Sequence, residues 1–242
     1  GNTAAFGGGG FYLSDCTDSS SVINSTFSGN SSGYVSEFYG GGAIQNSYCR
    51  ITLVNTTISG NTSGLFQLAG EFYMSNTILA NSTGGTDCEM AGSATDAWNA
   101  YNLIEDLSCG NTAFMSGDPN LGPLQNNGGP TDTMALLSGS PAIEWGRNGA
   151  CPATDQRGVN RPQGTYCDMG AFEFEYPEVS LSTTSISFGN QLMGTTSLPQ
   201  TVTVTNTGGT DLHIGALTFT SDWIISNDTC SNQTVTALKV PD

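Results

Sequence analysis

The densest group of charged side chains in this 242-residue sequence lies between residues 144 and 173. It contains three of the five basic residues and four carboxylates: Glu144, Arg147, Asp155, Arg157, Arg161, Asp168 and Glu173. Arginine beside calcium-binding carboxylates would suit a polysaccharide lyase, and a carboxylate pair would suit a glycosidase. The alternative is a structural role as ion pairs. We favour this role because Pro152 and Pro162 flank the charged group. We therefore predict cap ion pairs among Arg147, Asp155, Arg157, Arg161, Asp168 and Glu173, and no catalytic residue.

Two short acidic pairs are the candidates for a calcium site: Asp15 with Asp18, and Asp87 with Glu89. Neither pair is part of a twelve-residue calcium loop, so solvated acidic turns are the alternative. Arg50 is the one basic residue before position 90. Arg50 could serve as the catalytic base of a lyase. We prefer the alternative, an exposed arginine beside Cys49 without a catalytic role. Calcium stays open as a cofactor, and no other is expected.

The histidine and the aromatic residues offer two further candidates for chemistry. His213 lies in an alternating strand pattern without a serine or cysteine motif, which argues against a catalytic triad. Six aromatic residues near predicted turns would either line a sugar-binding surface or pack in the core: Tyr12, Tyr34, Phe38, Tyr39, Tyr48 and Phe66. A glycan is therefore a candidate partner.

The composition excludes several classes of partner. With 21 acidic and 5 basic residues the formal net charge is -16, so nucleic acid and anionic membranes are poor partners. No run of 18 apolar residues is present, and we expect no membrane span in this segment. Only 11% of the residues are charged, and glycine, serine, threonine and asparagine dominate the rest, which favours β-structure.

A short phrase recurs along the chain and predicts its architecture. Residues 22–30 (VINSTFSGN) recur as residues 53–61 (LVNTTISGN) and, in degraded form, as residues 73–81 (YMSNTILAN). Such a period with strand-like alternation is typical of a parallel β-helix, whose coils bury their inner faces by stacking. The predicted inward columns are Val22, Leu53 and Tyr73, and Phe27, Ile58 and Ile78.

The last residues of the three copies form a predicted asparagine ladder: Asn30, Asn61 and Asn81. Asparagine tolerates the left-handed backbone of a tight corner, and its amide can bridge successive coils. A row of asparagines that binds a ligand is the alternative to this structural role.

Six of the seven cysteines can be paired from their positions. Cys16 and Cys49 are 33 residues apart, the same offset that aligns Phe11 with Ile44, so we place them on adjacent coils. The predicted disulfides are Cys16–Cys49, Cys88–Cys109 and Cys151–Cys167, and Cys230 is left over. Disulfides indicate an oxidising, extracellular setting, and buried reduced cysteines are the alternative.

A series of motifs from residue 87 onward resembles a known family. In order, they are Asp87-Cys88, residues 101–104 (YNLI), 118–124 (DPNLGPL), 127–131 (NGGPT), 139–143 (GSPAI), 154–158 (TDQRG), Arg161-Pro162 and 167–173 (CDMGAFE). This series resembles the choice-of-anchor Q domain of bacterial surface proteins, and residues 27–30, 41–44 and 58–61 resemble the repeats of chlamydial polymorphic outer-membrane proteins. The resemblance covers about residues 1–175 and implies a pectate-lyase-like right-handed β-helix, a secreted or surface-attached protein and no established catalytic residues. Most of the coils expected at the front are missing.

A second module is expected over residues 178–242. Alternating patterns predict antiparallel strands at residues 201–205, 212–219, 223–225 and 234–238. Residues 187–191 and 194–197 resemble the immunoglobulin-like domains of choice-of-anchor D proteins, which implies a partial immunoglobulin-like β-sandwich. A full sandwich needs about 100 residues. Either the polypeptide continues, or a strand from another subunit completes the module.

The sequence thus predicts an all-β protein: a right-handed parallel β-helix with a disulfide-stapled C-terminal cap region at 1–175, followed by a partial immunoglobulin-like β-sandwich at 178–242. We expect a non-enzymatic extracellular or cell-surface structural protein for adhesion, surface display or an end-to-end fibre, because both ends leave strand edges unpaired. Expected partners are other copies of the chain, surface components or a glycan. A calcium-assisted polysaccharide lyase or glycosidase on the β-helix is the alternative.

Overall fold

The chain divides into two compact units, Gly1–Phe174 and Glu175–Asp242. The computed structural model describes residues 1–5, 7–33, 40–109, 115–220 and 222–237, without the side chains of residues 93–99. Apart from a three-residue 3₁₀ helix, Asn148–Ala150, the regular structure in these ranges consists of β-strands. The predicted all-β class is confirmed.

The first unit contains strands β1 to β14. They are β1 (Thr3–Ala4), β2 (Phe11–Ser14), β3 (Ser20–Ile23), β4 (Thr26–Ser28), β5 (Ser31–Ser32), β6 (Ile44–Ser47), β7 (Ile51–Val54), β8 (Thr57–Ser59), β9 (Leu65–Ser75), β10 (Ile78–Ala80), β11 (Cys88–Ala100), β12 (Leu103–Ile104), β13 (Leu121–Gln125) and β14 (Thr133–Leu136).

Strands β2 to β12, apart from β5, which pairs with β1, are organised as four successive repeats with parallel pairing between neighbours. The first repeat contains β2, β3 and β4, the second β6, β7 and β8, the third β9 and β10, and the fourth β11 and β12. A six-stranded sheet joins β2, β3, β6, β7, β9 and β11, and a four-stranded sheet has the order β12-β10-β8-β4. The long strand β9 pairs with both β6 and β7. The result is a set of curled parallel sheets that run through all four repeats.

The first two repeats align in the register that the sequence predicts. Val22 lies opposite Leu53, and Phe11 lies opposite Ile44. Leu53 and Ile44 are fully buried, because a strand covers each of them from both sides. The recurring phrase therefore identifies the inward face of these two repeats correctly.

The predicted register of the third repeat is wrong by one residue. Leu53 lies opposite Met74 and not Tyr73, and the strand partner of Ile58 is Leu79. Ile78 lies opposite Thr57 and is nevertheless buried, because it packs in a second core outside the repeats. Since side chains alternate between faces, a shift of one residue exchanges the inward and outward sets.

Asparagines form a corner column that the predicted ladder did not include. The corner asparagines Asn24, Asn55 and Asn76 have φ values of 46°, 46° and 51° and follow β3, β7 and β9. Asn76 Nδ2 donates to Asn55 Oδ1 at 3.2 Å over a separation of 21 residues. Because the left-handed corner favours asparagine, this column fixes the register of the third repeat.

Apolar side chains form two cores in the first unit. One core lies inside the repeats and includes Ile44, Leu53 and Met74. The other contains Ile78 and Leu103 with residues of the covering segment, which we define as residues 115–174. The third and fourth repeats thus bury apolar groups on both faces of β10 and β12.

The covering segment lies against the side of the repeats as well as against the last strand. Leu103 of β12 forms a parallel bridge with Met115, and the hairpin β13–β14 follows. Asn24 Nδ2 donates to Thr154 O at 2.6 Å, although the two residues are 130 positions apart. We expected this region at the end of the repeats, whereas it lies against several of them, because the corner asparagines present amides along one side.

The second unit contains two small antiparallel sheets. Strands β15 (Val179–Leu181) and β16 (Val204–Asn206) form one sheet, and β17 (Leu212–His213) and β18 (Thr234–Val235) form the other. The predicted strand at residues 223–225 is not formed, and residue 238 lies outside the described ranges. Met193 is 98% exposed and Ile224 is 80% exposed. Three of the four predicted strands are present in part, as β16, β17 and β18, whereas β15 was not predicted. The two sheets are too small to bury such side chains.

Candidate functional site

Five of the six predicted cap residues come together in a charged cluster: Asp155, Arg157, Arg161, Asp168 and Glu173. Arg161 Nη1 lies 2.5 Å from Glu173 Oε2, and these side chains are 0% and 1% exposed. Arg157 Nε lies 2.9 Å from Asp155 Oδ2, with exposures of 6% and 0%. Both ion pairs are therefore enclosed by protein.

A short acidic turn positions Arg157. Asp155 Oδ1 accepts hydrogen bonds from the backbone N–H groups of Arg157 at 2.8 Å and Val159 at 3.0 Å. Aspartate favours such turns because its carboxylate can replace a backbone acceptor. The guanidinium of Arg157 then lies 3.6 Å from the ring centre of Phe172, which adds a cation–π contact.

The two arginines also bind backbone carbonyls of the segment that contacts the repeats. Arg161 donates to Asp168 O at 3.1 Å and to Gly170 O at 2.7 Å. Arg157 Nη2 donates to Glu173 O at 2.7 Å. The cluster therefore holds residues 168–173 in one conformation, and these residues in turn contact the second and third repeats.

The carboxylates of the cluster accept backbone N–H groups. Asp168 Oδ1 accepts from Glu144 N at 2.8 Å. Glu173 accepts from Asp168 N and from Gln163 N, both at 2.9 Å. These bonds compensate for the loss of water around buried charges. Arg161 Nε is buried without a hydrogen-bond partner.

The electrostatics of the cluster reflect its burial. Burial, and then the neighbouring Glu173 carboxylate, raises the pKa of Asp168 to about 7. Burial also raises the pKa of Glu173 and lowers the pKa of Arg161. A carboxyl group that titrates near neutral pH suits a general acid or base. Asp168 is only 1% exposed, however, so its carboxyl group does not face a surface that a glycan could reach.

Arg147, the sixth predicted cap residue, joins the covering segment to the repeats through its backbone. Its N–H donates to Asn76 Oδ1 at 2.7 Å, and its carbonyl accepts from Asn76 Nδ2 at 3.2 Å. Glu144 Oε2 accepts from the N–H groups of Thr165 and Tyr166 at 2.8 and 3.0 Å. The charged residues of region 144–173 thus contribute mainly to connections within the protein.

The corner asparagines form the surface that binds the covering segment. Asn55 Nδ2 donates to Asp168 O at 2.9 Å, and Gly170 N donates to Asn76 O at 2.7 Å. Thr57 Oγ1 accepts from Ala171 N at 2.9 Å. This role of the corner asparagines was not predicted from the sequence. The signal that could have revealed it is an asparagine followed by serine or threonine, which occurs in every copy of the recurring phrase.

The predicted asparagine ladder exists for two of its three members and extends to Asn2. Asn61 Oδ1 accepts from Asn30 N and Asn30 Nδ2, and Asn30 Oδ1 accepts from Asn2 N and Asn2 Nδ2, over 2.9 to 3.2 Å. Asn81 is not the next member, because the strand register places it opposite Gly60 and not opposite Asn61. Its Nδ2 donates to Ser59 Oγ. Asn30 and Asn61 are 5% and 1% exposed, so their amides are occupied inside the fold.

The candidate calcium residues do not form a metal site in the part of the chain that the structure describes. Among those residues, no three His, Cys, Asp or Glu side chains are close enough to hold a metal ion. Asp87 is 2% exposed, and burial raises its pKa. Its Oδ1 accepts from Ser82 N at 3.1 Å.

Arg50 is exposed but paired, which does not suit a catalytic base. Its guanidinium donates to Glu71 Oε2 at 2.6 Å and to the hydroxyl of Tyr73 at 2.9 Å. The hydrogen bond that Arg50 donates to the Glu71 carboxylate raises the pKa of Arg50, whereas a base must lose its proton readily. His213 Nδ1 lies 2.8 Å from Thr234 Oγ1 on an exposed surface.

The three candidate aromatic residues that the structure describes differ in burial. Phe66 is 1% exposed and belongs to the core, whereas Tyr12 and Tyr48 are 50% and 61% exposed. Tyr34, Phe38 and Tyr39 lie outside the described residues. The aromatic sugar-binding surface stays a prediction.

The structure contains three disulfides, in the pairs that the sequence predicts. Their Cα–Cα distances are 5.1 Å for Cys16–Cys49, 5.3 Å for Cys88–Cys109 and 6.7 Å for Cys151–Cys167. The first joins the turns after β2 and β6, so it links the first two repeats. Cys230 is a partly buried free cysteine.

Comparison of the chain with protein-family models, with curated proteins and with solved structures finds no match. Within the described ranges, no helix combines the length and apolar character that a membrane crossing requires.

Proposed function

We propose that this chain is a non-enzymatic structural protein of the extracellular space or cell surface, used for adhesion, surface display or a fibre that assembles end to end. The observation that carries the proposal is the enclosure of the charged cluster. Arg161, Asp168 and Glu173 are each at most 8% exposed, and they hold the covering segment in place. The residues best suited to chemistry therefore act as internal connections.

The proposed architecture is a right-handed parallel β-helix of the choice-of-anchor Q type, followed by an immunoglobulin-like module of the choice-of-anchor D type. Parallel pairing of β3, β7 and β9 across successive repeats supports the β-helix. The antiparallel pairs in Glu175–Asp242 support a partial sandwich.

Three disulfides support an extracellular location, because such bonds persist in oxidising compartments. Peptide mapping of the secreted chain without reduction should recover the three linked pairs. Recovery of free thiols at Cys16 and Cys49 from the native source would contradict this location.

Light scattering tests the end-to-end version of the proposal. The chain should form concentration-dependent oligomers at neutral pH. A compact monomer at all concentrations would exclude a fibre but would leave display or adhesion as the role.

The runner-up is a calcium-assisted polysaccharide lyase or glycosidase, and the raised pKa of Asp168 is the observation that favours it. Pectin, alginate and neutral glycans should be incubated with the chain and calcium, and unsaturated and reducing ends measured. We expect no release. Release that Asp168→Asn abolishes and Asp18→Asn preserves would establish the enzyme and overturn the structural proposal.

A further inference from the structure

We propose that the outer surface of the second and third repeats binds a neutral saccharide through a pair of adjacent hydroxyl groups. The site, which we call the diol site, consists of Tyr48, Arg50, Glu71 and Tyr73. Arg50 and Glu71 hold the two hydroxyl groups, and the ring of Tyr48 covers the apolar face of the sugar. The assignment rests on the adhesion role proposed above and specifies its ligand.

Parallel pairing of β7 with β9 brings the residues of the diol site together. The first residue of β7 lies opposite Phe72. Arg50 immediately precedes β7, and its side chain therefore meets that of Glu71, which immediately precedes Phe72. Tyr48 is 61% exposed and the Arg50 side chain is 51% exposed, on either side of the buried Cys49. The diol site thus lies on a surface that a ligand can reach.

The side chains of Arg50, Glu71 and Tyr73 hold one another in place. Arg50 Nε donates to Glu71 Oε2 at 2.6 Å, and Arg50 Nη2 donates to the Tyr73 hydroxyl at 2.9 Å. The guanidinium carbon also lies 5.1 Å from the centre of the Tyr73 ring, which adds a cation–π contact. Binding groups that are already oriented lose less conformational entropy when a ligand arrives.

One donor and one acceptor of this network stay available to a ligand. Within the described residues, the hydrogen bonds that Glu71 accepts end on Oε2, and those that Arg50 donates leave from Nε and Nη2. Arg50 Nη1 and Glu71 Oε1 are therefore not engaged in that part of the chain. Two adjacent hydroxyl groups of a sugar match this pair, since one accepts from Nη1 while the other donates to Oε1.

The charge of the site selects a neutral ligand. The charges of Arg50 and Glu71 cancel, and the chain as a whole carries a formal net charge of -16. A uronate or a sulfated sugar would bring its own negative charge next to Glu71, which is unfavourable. Neutral sugars with free adjacent hydroxyl groups, such as the units of dextran and mannan, avoid this repulsion.

Stability does not account for these residues. The chain has five basic residues, and two of them, Arg157 and Arg161, are enclosed in the charged cluster. The pair of Arg50 with Glu71 is exposed, and exposed ion pairs contribute little to folding. Tyr48 has a φ of 68°, a left-handed conformation that is unfavourable for a bulky residue. An exposed aromatic ring at such a position indicates a role outside folding.

The test measures binding of the full chain to dextran and to mannan by isothermal titration calorimetry. We expect saturable binding to at least one of them, and none to polygalacturonate. Periodate oxidation followed by borohydride reduction removes the adjacent hydroxyl pairs of a polysaccharide. The polysaccharide treated in this way should bind about tenfold more weakly or worse, because the site then loses hydrogen bonds to charged groups.

Variants of the chain locate the binding. Arg50→Met and Glu71→Gln should each weaken binding about tenfold or more, because each removes a charged hydrogen-bonding group. Tyr48→Leu should weaken binding as well. Tyr166→Leu is the matched control, since Tyr166 is a tyrosine of the covering segment that is 52% exposed, and it should leave binding unchanged. Circular dichroism of each variant checks that the fold is retained.

Four outcomes would overturn the inference. They are absence of saturable binding to both polysaccharides, equal binding of the oxidised polysaccharide, equal binding of polygalacturonate, and binding that Arg50→Met leaves unchanged. Reducing ends measured in the same samples separate the inference from the function on which it rests. Release of such ends would overturn the structural proposal, whereas absence of binding leaves display and fibre assembly as its roles.

Discussion

Asn61 and Asn30 lie one above the other in adjacent repeats, and a single oxygen joins them. Asn61 Oδ1 accepts the Asn30 backbone N–H at 2.9 Å and Asn30 Nδ2 at 3.0 Å. Asn61 Nδ2 donates in addition to Phe27 O at 2.9 Å. One buried amide of the second repeat thus pairs with three polar groups of the first repeat.

Removing this amide should destabilise the first unit. We expect Asn61→Ala to lower the free energy of unfolding by roughly 2 to 3 kcal/mol, because buried donors lose their acceptor. Urea denaturation followed by circular dichroism measures the change. Asn81→Gly is the control, since Asn81 is exposed outside the ladder and glycine tolerates its left-handed φ of 58°. Equal losses in the two variants would contradict the ladder.

The register of the third repeat gives a second prediction. Met74→Ala should cost about 2 to 5 kcal/mol, because it leaves a cavity among buried side chains. Tyr73→Ala, one position earlier on the half-buried outer face, should cost far less. Thermal denaturation of both variants compares the two faces. A greater loss for Tyr73→Ala would restore the register that the phrase alone predicts.

The sequence determines local stacking better than long-range contacts. The alignment of Val22 with Leu53 follows from two well-preserved copies, whereas the third copy has diverged enough to admit a shift of one residue. The contact of Asn55 with Asp168 joins residues 113 positions apart, and neither residue type identifies the other. Clustered charges predicted ion pairs, but not the carbonyls that those charges bind.

The disulfide between the first two repeats should contribute to stability. Replacing Cys16 and Cys49 together by serine removes a link across 33 residues and should cost about 3 to 4 kcal/mol. Cys230→Ser should change the free energy of unfolding by less than about 0.5 kcal/mol. Denaturation of both variants without reductant makes the comparison. An unchanged midpoint for the double variant would show that the first repeat unfolds separately.

The buried Arg161 and the exposed Arg50 should differ sharply in their contribution to stability. Arg161→Met leaves Glu173 buried without its partner and should cost about 3 to 5 kcal/mol. Arg50→Met removes an exposed ion pair with Glu71 and should leave stability unchanged within error. Limited proteolysis should then cut the covering segment in the Arg161 variant alone. Protection of that segment in Arg161→Met would refute its attachment through the cluster.

Asp168 should make the first unit less stable as the pH rises. Its folded pKa of about 7 exceeds the ordinary value of 3.8, so the folded state binds a proton that the unfolded state releases between these values. The free energy of unfolding should therefore fall by up to roughly 1.4 kcal/mol per pH unit from about pH 4 to 7, and then level off. The raised pKa of Glu173 acts in the same direction.

Asp168→Asn isolates the contribution of this carboxyl group, because asparagine resembles the protonated acid. The free energy of unfolding of this variant should decline much less between pH 4 and 7 than that of the native chain. Asp18→Asn, which changes an exposed carboxylate, should retain the full decline. Urea denaturation at half-unit pH steps measures both slopes. Parallel curves for the native chain and Asp168→Asn would mean that Asp168 stays ionised in the fold, held by the N–H groups of Glu144 and Phe174 and by the charge of Arg161.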